Sequence, residues 1–511
     1  MSLQPLDLRA RELPDATALA DDTASLSWSR LADQVARLTG RFLEVAPEPE
    51  DRIAVLGDNA MATLVAHLAG LRAGVGTVAV SRQLTARELV DLLTDAGAKA
   101  VISGPAGESA ARQAGAELGL PVVVHGTPAK DDALDWSQWL ADAEPVPQPA
   151  GRPARPPLVY TSGTTGRARG TEVRWVRTPA ADSATYLEAV AARPGFPPGP
   201  HLVCGPLQHN GPLTALRHLA AGRPVVVLGR FDAETFLHHV ERWRVTSSVM
   251  VPTHFTRLLA LPRDVRERYD VSSLIQVSHT GSACPPEVKR AMIDWFGPVL
   301  TESYGASEAG TVARITSTEW LEHPGSVGRV QPPLDVLVTG DDGPLPAGEL
   351  GLLAFRAPEG RGVRYHADAE KTKAAYVAPG VFTLGDIGYV DPDGYIFITD
   401  RAADIVVSGG VNLYPAESEA VLREHPGVAE VAVIGVPDPD FGESLRALVV
   451  VARPGEPTDG ELDTFCRGRL AAYKCPKSYE VVPELVRNAM GKLDKRAMRR
   501  PYWNSDRTIA G

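Results

Sequence analysis

Ile53-Ala54-Val55-Leu56 is an apolar run with no polar face, which leaves few folds open to the chain. A strand of this kind is buried on both sides, the habit of parallel sheets covered by helices. Arg52–Gly57 therefore reads as a short buried strand, Asn59–Gly74 as a helix and Val75–Val80 as a second strand. Strand, helix, strand is the repeating unit of a parallel sheet. Val101-Ile102 and Val122-Val123-Val124 continue the series. Ahead of it, Leu31, Val35, Leu38 and Phe42 recur at helical spacing within residues 27–45.

The chain has 511 residues, enough for two or three domains. The stretch Glu144–Pro157 holds six prolines and no apolar periodicity, so it reads as an extended linker. Further strands are expected at Val225-Val226-Val227 and Ser247–Val251, in a unit covering about 200–330. Residues 335–398 alternate short apolar runs with Gly/Pro turns, the pattern of a small β-subdomain. Asp391-Pro392-Asp393-Gly394 reads as a tight turn before a strand Tyr395–Thr399. Beyond it, helices are expected at Ala416–Glu424 and Glu461–Ala471, and strands at Val428–Val436 and Ala447–Val451.

Composition narrows the function. A net charge of −11 argues against nucleic acid or an anionic membrane as the main partner. Cys204, Cys284, Cys466 and Cys475 lack CxxC spacing, so reduced and mostly buried thiols in a cytoplasmic protein are expected. The stretch Met1–Asp7 lacks the basic and apolar regions of a signal peptide. No window reaches the ~18 apolar residues of a spanning helix.

The densest chemical signal lies at 160–170, Tyr-Thr-Ser-Gly-Thr-Thr-Gly-Arg-Ala-Arg-Gly. Glycines let successive backbone N–H groups converge on one anion. Ser162, Thr164 and Thr165 add hydroxyl donors, and Arg167 and Arg169 add positive charge. Leu158 and Val159 just before it suggest that the loop leaves a strand end, where open α/β sheets bind ligands. No Gly-Lys-Ser/Thr follows, so this is not a Walker A loop.

The loop resembles the phosphate-binding loop of the adenylate-forming superfamily, which includes acyl-CoA synthetases. Four more stretches resemble that family's motifs, in the expected order. They are Glu302–Glu308, Leu384–Gly388, Asp400-Arg401 leading to Ser408–Glu417, and Arg487–Lys495. The resemblance implies an α/β fold. It has a large N-terminal domain, 1–400, of stacked and mostly parallel sheets with helices and the small β-subdomain. A hinge at 401–403 and a small mobile α+β lid at 404–511 follow. It implies ATP or AMP, Mg²⁺ and coenzyme A as cofactors and a small carboxylic acid as substrate, with no nucleic acid and no membrane; a homodimer is the one assembly it leaves open.

Roles follow residue by residue from the same resemblance. Thr161, Ser162, Gly163, Thr164, Thr165, Gly166 and Arg169 would hold phosphate. Gly281, Ser282 and Ala283 would run along the adenine, and Tyr304 would cover one of its faces. Glu302, Ser303, Gly305 and Ser307 belong to the same nucleotide-binding motif, with Ser307 at the α-phosphate and Glu308 on Mg²⁺. Asp386 would accept both ribose hydroxyls, assisted by Arg401; an acceptor-only carboxylate suits two donors. Lys492 would carry catalysis, its ammonium reaching both the substrate carboxylate and the phosphate. Pro206-Leu207-Gln208-His209 matches the pattern in which acyl-CoA synthetases place a histidine on the acyl-pocket wall. By itself, His209 reads equally as a structural histidine. Cys204 to Ala221 contains no Asp or Glu, which disfavours an amino-acid substrate. Gly409, Gly410 and Phe441 would border the pantetheine arm. Arg446, Lys474 and Lys477 would meet CoA phosphates or else form solvated surface. Residues 284–308 resemble bacterial ligases for steroid side chains, which implies a bulky acid, with Gly305 and Ala306 leaving room for it.

Two positions depart from the family. Its Pro-Lys-Gly is Ala168-Arg169-Gly170 here, and Arg is not equivalent to Lys at a phosphate loop. Ala403 stands where the family has Asp or Lys at the pivot. An alternative therefore stays open, a ligase specialised for forming thioester from a preformed acyl-adenylate. Loading of a carrier protein instead of CoA is another.

Overall fold

The computed structural model describes residues 5–128, 133–161, 169–173, 175, 180–193, 195, 197–281, 284–340, 343–359, 361–366, 368–401, 406–413, 415–453, 457–486 and 495–503. The chain divides into two compact units. The first comprises 1–160, 170–250 and 260–278; the second comprises 161–169, 251–259 and 279–511.

The first unit contains two sheets. One runs in the order Leu134–Asp135, Val122–Val124, Ala98–Ser103, Arg52–Leu56, Gly76–Val80, Leu158–Thr161, Arg169–Glu172. Arg52–Leu56 pairs in parallel with both neighbours and is buried at every position. Helix Met61–Ala73 returns the chain to Gly76–Val80 and is buried over nearly all of its surface. That explains why its sequence shows no amphipathic stripe. It stops at Gly74, whose φ of +64° suits glycine. In the second sheet Thr17–Ala20, Val225–Val227, His201–Val203 and Ser247–Met250 lie in that order, again in parallel.

Helix Trp28–Val45 starts where Ser27 caps the backbone N–H of Arg30, and it buries Leu31, Val35, Leu38 and Phe42, the expected stripe. The proline-rich stretch before Leu158 has neither helix nor strand. It is tied to the end of helix Met61–Ala73: Gln148 Nε2 donates to Arg72 O at 2.7 Å and Arg152 Nε to Ala73 O at 3.3 Å.

The second unit is dominated by antiparallel pairing. Gly351–Arg356, Val381–Val390, Tyr395–Arg401, Gly328–Val330, Gly310–Thr316 and Leu300–Ala306 follow one another across one sheet. At the turn before Tyr395, Gly394 has φ +85° and donates to Asp391 O at 3.0 Å. A five-stranded sheet carries the C-terminal region, with Gly442–Val451 flanked by Val428–Asp438 and Ser478–Val481. Helix Asp459–Arg467 begins two residues before the expected Glu461. The reason is a capping box between Thr458 and Glu461, which fixes the first turn.

All four cysteines are buried free thiols. Among the described residues no helix is long and apolar enough to cross a membrane.

Candidate active site

In the second unit, strand Leu300–Ala306 pairs with Gly310–Thr316, and a turn at 307–309 joins them. A Cβ on Gly305 would run into the Gly310 carbonyl. The glycine is therefore required by the close approach of the two strands, whatever it leaves free for a ligand. Tyr304 OH donates to Asp386 Oδ2 at 2.5 Å. Asp386 is buried on strand Val381–Val390, with Arg401 as its cross-strand neighbour, so the two residues assigned to ribose are register partners. Just past the strand end, Glu308 Oε1 accepts from Tyr365 OH at 2.9 Å. Ser303 and Ser307 are half-buried on the same strand and turn.

Glu302 lies deeper. Its Oε2 is 2.5 Å from Lys289 Nζ and 3.7 Å from His279 Nε2, and all three side chains are buried. Burial pushes the Glu302 carboxyl up and the Lys289 ammonium down, while their mutual attraction opposes both shifts. Burial also drives His279 well down, with the Lys289 charge adding to it, so its ring is neutral. His279 and Glu302 each stand two residues before a nucleotide-assigned residue, Gly281 and Tyr304. Lys289 was not a candidate from sequence. The signal was there: it shares the apolar face of helix Pro286–Phe296 with Met292, Ile293 and Phe296. A lysine in such a stripe calls for a buried anion.

Gly281, Gly409 and Gly410 come together. Gly281 has φ +92°, and a Cβ there would lie 3.2 Å from Gly410 O; Gly410 packs in turn on Val251. Gly409 N–H donates to Phe441 O at 2.8 Å, and a Cβ on Gly409 would meet the Phe441 ring at 2.8 Å. The nearby cations are engaged. Lys474 Nζ is 3.1 Å from Glu417 and nearly buried. Lys477 pairs with Asp438 at 2.9 Å and sits over the Phe441 ring. Arg446 donates to Ser478 and Glu480.

In the first unit His209 stands at the N-terminal boundary of the short helix Asn210–Leu213, without a side-chain capping bond, and closes the loop that leaves strand His201–Val203. Burial lowers its imidazole to about 4, so it is neutral at ordinary pH. The buried amide oxygens of its neighbours Gln208 and Asn210 have no hydrogen-bond partner among the described residues.

Ser162, Gly163, Thr164, Thr165, Gly166, Ser282, Ala283, Ala403 and Lys492 lie outside the described residues, as do the side chains of Thr161, Arg169 and Arg401.

The AMP-binding enzyme family model matches residues 6–362, and that of the AMP-binding enzyme C-terminal domain matches 417–492. The chain belongs to the AMP-binding enzymes. Its curated relatives place this AMP-binding enzyme in the acyl-CoA ligase branch of the adenylate-forming superfamily. A feruloyl-CoA synthase of an Amycolatopsis species is 35% identical over 504 residues, 97% of each chain. A methyl-dioxo-octahydroindenyl-propanoyl:CoA ligase of Mycobacterium tuberculosis is 34% identical over 513 residues, again 97% of each. Among solved structures, the amide bond synthetase McbA from Marinactinospora thermotolerans aligns at TM-score 0.84 and 28% identity, covering 98% of this chain and all of that one. The mixed α/β architecture of this AMP-binding enzyme is thus that of adenylate-forming enzymes.

Proposed function

We propose that the chain joins a hydrophobic, ring-bearing carboxylic acid to CoA through an acyl-adenylate. A carboxylate acylates poorly because its oxygen leaves poorly. In the first step it attacks the α-phosphorus of ATP and expels pyrophosphate; in the second, the CoA thiol attacks the acyl carbon and AMP departs. One observation carries the reading: Tyr304 and Asp386, which the family motifs assign to the nucleoside, are hydrogen-bonded to each other in one unit. An ionised carboxylate such as Asp386 is acceptor-only, the chemistry that two ribose hydroxyl donors call for.

Thr161, Ser162, Thr164 and Thr165 would grip phosphate, and Lys492 would bridge acid and phosphate. Residues 404–511 would be the lid that carries it, pivoting at 401–403. Glu308 suits Mg²⁺: one carboxylate, half-engaged by Tyr365, with phosphate and water left to complete a coordination shell that magnesium prefers. Such an ion would neutralise phosphate charge. The neutral His209 on the acyl wall suits an uncharged ring better than an ionised one. Ring-bearing acids in the two relatives, feruloyl and octahydroindenyl, support the same class.

The test is a panel of ring acids, each paired with its hydroxylated form because two oxygens without a partner among the described residues flank His209. The panel is run with ATP and CoA while AMP is followed. Acid-dependent AMP release with thioester formation is expected; no turnover on any acid refutes the proposal. A second reading, thioester formation from a supplied adenylate only, is favoured by Ala403 and by the Gly281–Gly410 juxtaposition. Acid-dependent exchange of pyrophosphate into ATP excludes it. The likeness to an amide bond synthetase puts amines beside CoA and a carrier protein in the acceptor panel.

A further inference from the structure

Gly57-Asp58-Asn59 follows strand Arg52–Leu56 in the first sheet of the first unit, far in sequence from the His209 loop. Asn59 nevertheless binds that loop at two backbone positions and the end of the neighbouring strand at a third. Its Nδ2 donates to Gly205 O and to Leu228 O, each at 3.0 Å, and its Oδ1 accepts from Leu207 N at 3.0 Å. Gly205 and Leu228 lie just past two parallel strands of the second sheet, His201–Val203 and Val225–Val227, where the ladder ends and backbone groups need other partners. A primary amide is the side chain that can give two donors and an acceptor at one point.

The anchor is itself fixed. Gly57 N–H donates to Val80 O at 2.8 Å, Arg82 Nη1 to Asp58 Oδ1 at 2.8 Å, and Thr63 Oγ1 to Asp58 O at 2.7 Å. A Cβ on Gly57 would stand 3.1 Å from Gln208 N, so the two backbones are in contact as well. His209 comes two residues after Leu207, and its ring makes no side-chain hydrogen bond with any described residue. Among the described residues no hydrogen bond sets the ring's place; the backbone of its loop does.

We infer that Asn59 is a positioning residue for the acyl-pocket wall, holding the Gly205–His209 loop, and so the His209 ring, against the first sheet. This rests on the assignment of His209 to the acyl pocket made above. Two variants of the full chain test it, Asn59→Ala and Gly57→Ala. The first removes three hydrogen bonds; the second keeps them and pushes Gln208 by a few tenths of an ångström. Loss of even one such bond's worth of positioning is expected to raise the acid KM about tenfold. The ATP KM should hold. Amide hydrogen exchange over 205–210 should quicken in Asn59→Ala while strand Arg52–Leu56 stays protected. Adding His209→Ala to Asn59→Ala should cost less than His209→Ala alone costs the parent. Equal rises in acid and ATP KM, strict additivity, or a faster-exchanging loop with an unchanged acid KM would each overturn it. A parent enzyme inactive on every acid, with the exchange effect intact, would instead locate the failure in the proposed function and withdraw the positioning role with it.

Discussion

In the first unit the Gly205–His209 loop is held by uncharged groups, the Asn59 amide on a backbone carbonyl and N–H, and it carries an imidazole that burial keeps neutral. In the second unit strand Leu300–Ala306 is held by charge: Lys289 on Glu302 from one side and Tyr304 on the Asp386 carboxylate at its end. On the proposed function, the contrast follows the chemistry each region would face. A wall for an apolar ring gains nothing from a fixed charge, which would need its own buried counterion. A nucleotide site would already handle charge, and a buried ion pair beside it is costly to break from either side.

The two regions should therefore break differently. The largest effect is expected at Lys492, proposed for the adenylate-forming step. Lys492→Ala is expected to cut acyl-AMP formation about 10³-fold. Conversion of supplied acyl-AMP to thioester should survive; equal loss of both steps would remove the assigned role.

Next is the charged strand. Lys289→Ala leaves Glu302 buried and unpaired, which is expected to lower stability by about 3–5 kcal/mol in denaturant melts. Lys289→Met combined with Glu302→Leu should recover most of that loss. If the double variant is as unstable as the single one, the pair is not what holds the strand.

Asp386→Asn keeps the shape and one acceptor but loses charge. The ATP KM should rise by about tenfold to a hundredfold with the acid KM unchanged. A rise in the acid KM alone would reverse the assignment of the two regions.

The smallest effect belongs to the neutral wall. His209→Phe is expected to shift the acid KM by only about threefold. Because the native imidazole titrates at about 4, that ratio should be flat from pH 8 down to pH 5.5. Stability behaves otherwise. The folded value lies below the ordinary 6.5, so the neutral ring favours the native state fully above 6.5, and the advantage is lost as pH falls from there toward about 4. His67 and His201, each lowered to about 3 by burial, add to the same acid sensitivity. Melts at pH 7, 6 and 5 that show no decline would refute it.

Much of the site could be read from the chain before any coordinates. The motifs that carry Tyr304 and Asp386 are short local strings, and the structure brings those two side chains to hydrogen-bond distance. Asn59 could not be found that way. Its neighbours, Gly57 and Asp58, are ordinary turn residues, and its partners Gly205 and Leu228 lie 146 and 169 residues away. The surroundings of Lys474 were equally hidden: one basic residue among several turned out to be buried on Glu417, which sequence spacing does not reveal.

Local order alone determined the alternation of buried strands and helices, the apolar stripe of helix Trp28–Val45, and the family to which the chain belongs. These depend on neighbours within a few residues, where periodicity and turn chemistry act. Only the tertiary structure decided which lysine is paired and buried, which glycine is demanded by a facing carbonyl, and which amide ties two sheets together. Those outcomes depend on groups from other elements, up to 169 residues away, meeting at hydrogen-bond distance, and burial fixes their energies only once the chain has closed around them.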